Sequence, residues 1–169
     1  MTQAMNRRSW LAGAAALGCC GMAAAMDAPG GPVVLTVSGK IKLPNARQTA
    51  QFDMAMLAQL QQASFSTRTP WYAQARRFSG PLMRDVLAAV GAHGQTVRAL
   101  ALNDYRVDIP VDDARRFDVL LARLIDDKPM TVRDKGPLFV IYPFDMHAEL
   151  RTAVYYNRCA WQLRALELM

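Results

Sequence analysis

The sequence predicts an α+β domain, a mixed β-sheet accompanied by a few short helices, on three observations. Apolar and β-branched runs bounded by turn residues outnumber segments with helical spacing. Period-two alternation recurs, as where Arg106 and Asp108 separate Tyr105, Val107 and Ile109. Helical and strand-like segments are interspersed without the strict βαβ alternation of a doubly wound parallel sheet.

Asp27 to Pro32 is a Gly/Pro-rich lead-in, and the β-branched Val33 to Val37 predicts a first strand bounded by Ser38-Gly39, with Ile41 and Leu43 extending it. Asp53 stands as an N-cap before Met54, Leu57, Ala58 and Leu60, whose spacing predicts a helix to about Gln62. Ser64 to Trp71 is polar and β-prone; Pro70 forces Thr69 into an extended conformation, so this reads as a strand running into a loop. Ser79-Gly80-Pro81 is expected to open a second helix with Leu82, Met83, Val86, Leu87 and Val90 on one face and Gly91 as its stop. Val97 to Leu102 and Tyr105 to Ile109 predict a hairpin turned by Asn103-Asp104. Asp112 is expected to cap a short helix through Phe117, followed by one buried strand from Val119 to Ile125 that ends at Asp126-Asp127-Lys128-Pro129. The proline-bounded run Pro137 to Pro143 and the alternation of Trp161, Leu163 and Ala165 complete the strands, with Cys159 assigned to that last region. No internal repeat is visible.

With 169 residues, 52% of them hydrophobic and 20% charged, the chain has the size and composition of one globular domain and not of a disordered or fibrous one. Residues 1–25 carry Arg7-Arg8, an apolar Ala/Gly-rich stretch and Ala23-Ala24-Ala25, the basic, apolar, small-residue order of an export signal. Arg7-Arg8 followed by Ser9-Trp10-Leu11 resembles the twin-arginine signal, which carries folded cargo. Ala16 stands where a lipoprotein box needs a large aliphatic residue before Cys19, which disfavours a lipid anchor. The expectation is therefore a signal peptide over 1–25, a single domain over 26–169, and a periplasmic location. The net charge of +6 falls to +4 without Arg7 and Arg8, and the basic residues are scattered among acids, so no nucleic-acid partner is expected. Beyond residue 25 only Cys159 remains, which excludes an internal disulfide and a cysteine-based metal cluster in that domain.

The common catalytic signatures are missing: no Gly-rich dinucleotide or phosphate loop, no His-Glu-x-x-His and no Gly-x-Ser-x-Gly. His93 and His147 have no second ligand at metal spacing, so no catalytic or metal residue is assigned. Four segments instead place polar side chains at strand ends: Thr67 to Trp71, Asn103-Asp104-Tyr105, Arg133 to Pro137, and Tyr142-Pro143. Together they offer an aromatic face, a carboxylate, an amide, hydroxyls and two cations, which suits a flat, polar heterocycle that is stacked on and hydrogen-bonded at its edge. Each also has a plainer reading, with Trp71 as a core lid, Asn103-Asp104 as a turn and Lys135-Gly136-Pro137 as a loop closing on Asp134.

Three blocks, Phe78-Ser79-Gly80-Pro81-Leu82-Met83-Arg84-Asp85-Val86-Leu87, Ala101-Leu102-Asn103-Asp104-Tyr105, and Asp127 through Leu138, resemble the molybdopterin-binding domain of the sulfite oxidase family, over residues 33–168. The chain looks most like its small, single-domain periplasmic members. In the catalytic members a cysteine thiolate ligates molybdenum on the loop corresponding to Thr67 to Trp71, and this loop has no thiol. Threonine is a hard, weakly acidic ligand that cannot replace a soft thiolate, so the resemblance implies a non-catalytic protein. Cysteine-lacking members of this kind are similar to periplasmic proteins that bind a tetrahydropterin-like ligand and signal its presence to an inner-membrane diguanylate cyclase or phosphodiesterase. On that reading Trp71 stacks on the pterin, Asp104 accepts from its amino-pyrimidine edge, and Asn103 and Thr69 orient it. Arg133 and Lys135 meet ring carbonyl or tail oxygens, with Thr67, Tyr105 and Tyr142 completing the binding set. The alternative is a molybdopterin-dependent oxidoreductase subunit that holds its metal without a cysteine; folded export favours it and the missing thiol opposes it.

Overall fold

The computed structural model describes residues 26–169; the expected export signal over 1–25 lies outside the described residues. The fold is mixed α+β with three sheets and four short α-helices among the described residues. The largest sheet joins β1 (Val33–Gly39), β2 (Ala50–Asp53), β5 (Thr96–Ala101), β6 (Arg106–Pro110) and β11 (Leu163–Leu168) in the order β2-β1-β11-β5-β6. Only the β1 to β11 pairing is parallel, with Thr36 opposite Ala165. A four-stranded sheet runs β3-β4-β8-β9 from β3 (Gln62–Thr69), β4 (Tyr72–Pro81), β8 (Leu124–Ile125) and β9 (Lys128–Pro129). The third sheet pairs β7 (Leu120–Ala122) with β10 (Phe139–Ile141).

The helices are α1 (Met54–Gln59), α2 (Met83–Ala89), α3 (Val111–Arg116) and α4 (Ala153–Arg158). As the sequence predicts, the Asp53 carboxylate caps α1: Oδ1 accepts from the Met56 N–H at 2.8 Å, while Oδ2 accepts from Gly31 N–H at 2.8 Å and ties down the lead-in. One continuous core forms where alternate residues of the large sheet (Leu35, Val37, Phe52, Val97, Leu166) meet the buried face of α2 and the aromatic residues Phe78, Phe139 and Phe144.

Five expectations are corrected. Ile41 and Leu43 do not extend β1, because Gly39 turns the chain at φ +83° and the Lys42 and Leu43 N–H groups donate to Val90 O at the end of α2. Ser79-Gly80-Pro81 ends β4 instead of opening α2. Gly80 serves a close approach there, since a Cβ on it would collide with the Leu121 carbonyl of β7. Asp112 does not cap α3; Pro110 holds the N-cap position and no side chain bonds there. The single strand expected from Val119 to Ile125 is divided at Arg123, whose N–H donates to Ser79 O, so that β7 and β8 enter different sheets. Finally, Cys159 is not on a strand but at the C-terminus of α4, and β11 begins only after Gln162, which takes a positive φ of 53°.

Candidate functional site

A cavity of about 440 Å³ opens where three segments distant in sequence converge. The β3–β4 turn supplies Pro70 and Trp71, the β5–β6 turn supplies Asn103 and Tyr105, and α4 with the chain leading to β11 supplies Tyr156, Asn157, Cys159 and Trp161. Its wall is aromatic because these rings support one another edge-on. Trp71 lies 5.5 Å from Trp161, 5.6 Å from Phe139 and 6.3 Å from Tyr156, centroid to centroid, with interplanar angles of 60° to 87°. Such T-shaped contacts fix the indole planes and leave a face open. Size and lining suit a small, flat ligand.

The rim is polar. Asn103 turns the β5–β6 hairpin by accepting from Tyr105 N–H at 3.2 Å through its carbonyl oxygen, leaving its NH₂ group with no partner among the described residues. The Tyr105 hydroxyl donates to Asn157 O at 2.6 Å, which ties the hairpin to α4, and burial pushes its phenol up. Amide side chains at this rim offer donors and acceptors together, the pattern required by a heterocycle edge of the same mixed kind.

The structure distributes the nine predicted site residues unevenly. It brings Trp71, Asn103 and Tyr105 together on the cavity. Thr69 lies just outside, on an adjoining hollow, its hydroxyl oxygen accepting from Trp71 N–H at 3.4 Å. Thr67 is fully buried in β3 and its hydroxyl oxygen accepts from Asp145 N–H at 3.0 Å, a framework bond that turns it away from any ligand. Tyr142 is likewise buried in the core, donating to Asp113 Oδ2 at 2.8 Å; burial and then that carboxylate push its phenol far up. Asp104 occupies the left-handed position of the hairpin turn at φ +62°, points out with its side chain 80% exposed, and sits 3.5 Å from Arg164 Nη2. Arg133 and Lys135 line a separate hollow of about 420 Å³ with Tyr72, Arg76 and Asp126. Lys135 nevertheless lies near one ring of the cavity wall, its ammonium 6.0 Å from the Trp161 ring centroid and 5.0 Å from that of Tyr72.

Sequence reasoning missed Pro70, Tyr156, Asn157, Cys159 and Trp161. The signal available was the density of aromatic and amide residues in Tyr155-Tyr156-Asn157, a stretch to which the sequence assigns no element, just before Trp161, which it assigns to the last strand.

Cys159, one of the lining residues, is 97% buried and directs its S–H toward Tyr155 O at 3.6 Å, and burial pushes its pKa well up. A metal-binding cysteine needs the opposite environment, one that favours the thiolate. Among the described residues no cluster of three or more His, Cys, Asp or Glu side chains is placed to hold a metal ion. Held as a buried neutral thiol, Cys159 is therefore not suited to ligate a metal.

The chain matches the family described as the oxidoreductase molybdopterin binding domain over residues 30–148. No curated protein matches it.

Proposed function

Because the chain belongs to the oxidoreductase molybdopterin binding domain family, we propose that it is a periplasmic pterin-binding protein that catalyses no redox step itself and reports its liganded state to a partner. The aromatic cavity carries this reading: Trp71, Trp161 and Tyr156 offer ring faces and edges to a bicyclic heterocycle, and the Asn103 and Asn157 amides lie at its rim. A tetrahydropterin is the ligand class proposed. The listener is proposed to be the periplasmic domain of an inner-membrane diguanylate cyclase or phosphodiesterase, on the resemblance drawn from the sequence.

One observation favours a second reading, a molybdopterin-dependent oxidoreductase subunit: Cys159 is among the residues that line the cavity. Its burial as a neutral thiol weighs against that reading. The two separate cleanly in one experiment. Protein isolated from its native periplasm is assayed for pterin fluorescence after oxidation and for molybdenum by elemental analysis, and the empty protein is titrated with a tetrahydropterin by calorimetry. Pterin without metal and saturable binding are expected; stoichiometric molybdenum supports the second reading, and absence of binding defeats the first.

A further inference from the structure

Strand β3 is an edge of the four-stranded sheet, and its outer side is bare. Its pairing with β4 sets Ser64 opposite Ser79 and Ser66 opposite Arg77. Both β4 residues direct their backbone to the far side. Arg77 O accepts from Asp126 N–H at 2.8 Å, Arg77 N–H donates to Asp126 Oδ1 at 3.0 Å, and Ser79 O accepts from Arg123 N–H at 2.9 Å. Backbone groups alternate sides along a strand, so those of Phe65 and Thr67 face β4 while the N–H and C=O groups of Ser64 and Ser66 point away from it. These outward groups have no partner among the described residues. The bare stretch ends at Arg68, whose N–H donates to Asp145 Oδ2 at 2.9 Å.

Other sheet edges are guarded. The Asn45 side-chain amide accepts from Gln51 N–H at 2.7 Å and donates to Gln51 O at 2.9 Å, which closes β2. The edge strand β9 is only Lys128–Pro129, and β6 carries Arg106 and Asp108 and ends in Pro110. Short length, charge and proline are the devices that keep sheet edges from pairing, and β3 has no charge and no proline from Gln62 to Thr67. We propose that β3 pairs antiparallel with β3 of a second copy of this chain, about a two-fold axis at Phe65, so that two four-stranded sheets become one. The inference is independent of the pterin reading.

The strand is complementary to itself in that register. Ser64 faces Ser66 of the second copy, and each such pair exchanges both of its backbone bonds. Phe65, half-buried with its ring 6.5 Å from that of Phe78, meets its own counterpart in the close pair between them and extends the apolar row. Arg68 falls opposite Gln62, so no like charges meet. The contact is short, which suits a reversible dimer with a Kd of roughly 10–100 µM.

Sedimentation velocity of the purified protein from about 5 to 500 µM tests this, and the wild type should pass from monomer to dimer over that range. Ser66→Pro removes an outward N–H that no bond inside the protomer uses, so it should stay monomeric throughout with an unchanged circular dichroism spectrum. A charge pair tests the register. Ser64→Glu with Ser66→Glu sets carboxylate against carboxylate and should weaken the dimer roughly tenfold, whereas Ser64→Glu with Ser66→Lys sets opposite charges together and should dimerise at least as well as the wild type. If Ser66→Pro unfolds, the charge pair decides alone. A wild type that is monomeric at every concentration overturns the proposal. So does a dimer that persists in folded Ser66→Pro, or one that responds equally to the two charge variants.

Discussion

Trp71 and Tyr142 are both aromatic residues that the sequence offers as ligand contacts, and their surroundings separate them. Trp71 is half-buried, with one part of its indole packed edge-on against Phe139, Tyr156 and Trp161 and the rest on the cavity. It is platform and core at once. Trp71→Ala should therefore weaken tetrahydropterin binding by about 1–3 kcal/mol, roughly ten- to hundredfold, and should lower thermal stability too. Tyr142 has the reverse signature. Its hydroxyl donates to Asp113 Oδ2, which also accepts from Arg158 Nη1 at 2.7 Å, so Tyr142→Phe removes one buried hydrogen bond and leaves the carboxylate paired. A loss of about 1–2 kcal/mol in unfolding free energy, with pterin affinity unchanged, is expected from denaturant melts and calorimetry. Wild-type affinity in Trp71→Ala, or lost affinity in a folded Tyr142→Phe, would show that the cavity has been misplaced.

Three short features of this chain were legible because their signal was local, although the equally local Asp112 cap fails. The Asp53 cap, the Gly91 stop and the Asn103-Asp104 hairpin are chemistry confined to a few residues, and all three stand where the sequence predicts them. Gly80 deceived because it answers to the Leu121 carbonyl on another strand, a contact that no local pattern records. Helix α4 was invisible for a related reason: none of its six residues is fully buried, so it has no apolar stripe, and it is tied into the fold through Arg158 and the Tyr105 hydroxyl bond to Asn157. Half of the cavity wall went unread with it. The Asp53 cap makes its own prediction. The Met56 N–H bond first, and then that of Gly31, hold the Asp53 carboxyl below its ordinary value, so the folded state binds fewer protons than the unfolded state in that range. The stabilisation is complete above the unfolded value of about 3.9 and is lost as pH falls through the lower folded value. Asp53→Asn should thus remove part of the acid limb of a stability-versus-pH curve; an identical limb in the variant would show that the cap does not titrate in this way.

On the scale of the whole molecule, the cavity is the place where separately built parts meet. The β3–β4 turn belongs to the four-stranded sheet, the β5–β6 turn to the five-stranded sheet, and α4 is the connection that carries the chain from β10 to β11. Few direct bonds join them at the cavity itself: the Tyr105 hydroxyl to Asn157, the edge-on ring contacts of Trp71, and, deeper, the Arg158 to Asp113 pair that pins α4 to α3. A ligand filling the cavity would add contacts to all three parts together, and for that reason it should act on the global unfolding equilibrium and on local opening alike. By mass action, a tetrahydropterin at a hundred times its Kd stabilises the folded state by about 2.7 kcal/mol. At the 2–4 °C per kcal/mol typical of chains of this size, the melting temperature should rise by roughly 5–11 °C. Hydrogen exchange followed by mass spectrometry should show the accompanying protection in the 69–72, 102–106 and 153–161 segments together, and not in the 46–49 turn, which lines a different hollow. Protection of one segment alone would mean that the ligand rests on a single element, and a saturating ligand that leaves the melting temperature unmoved would mean that it does not bind where these parts meet.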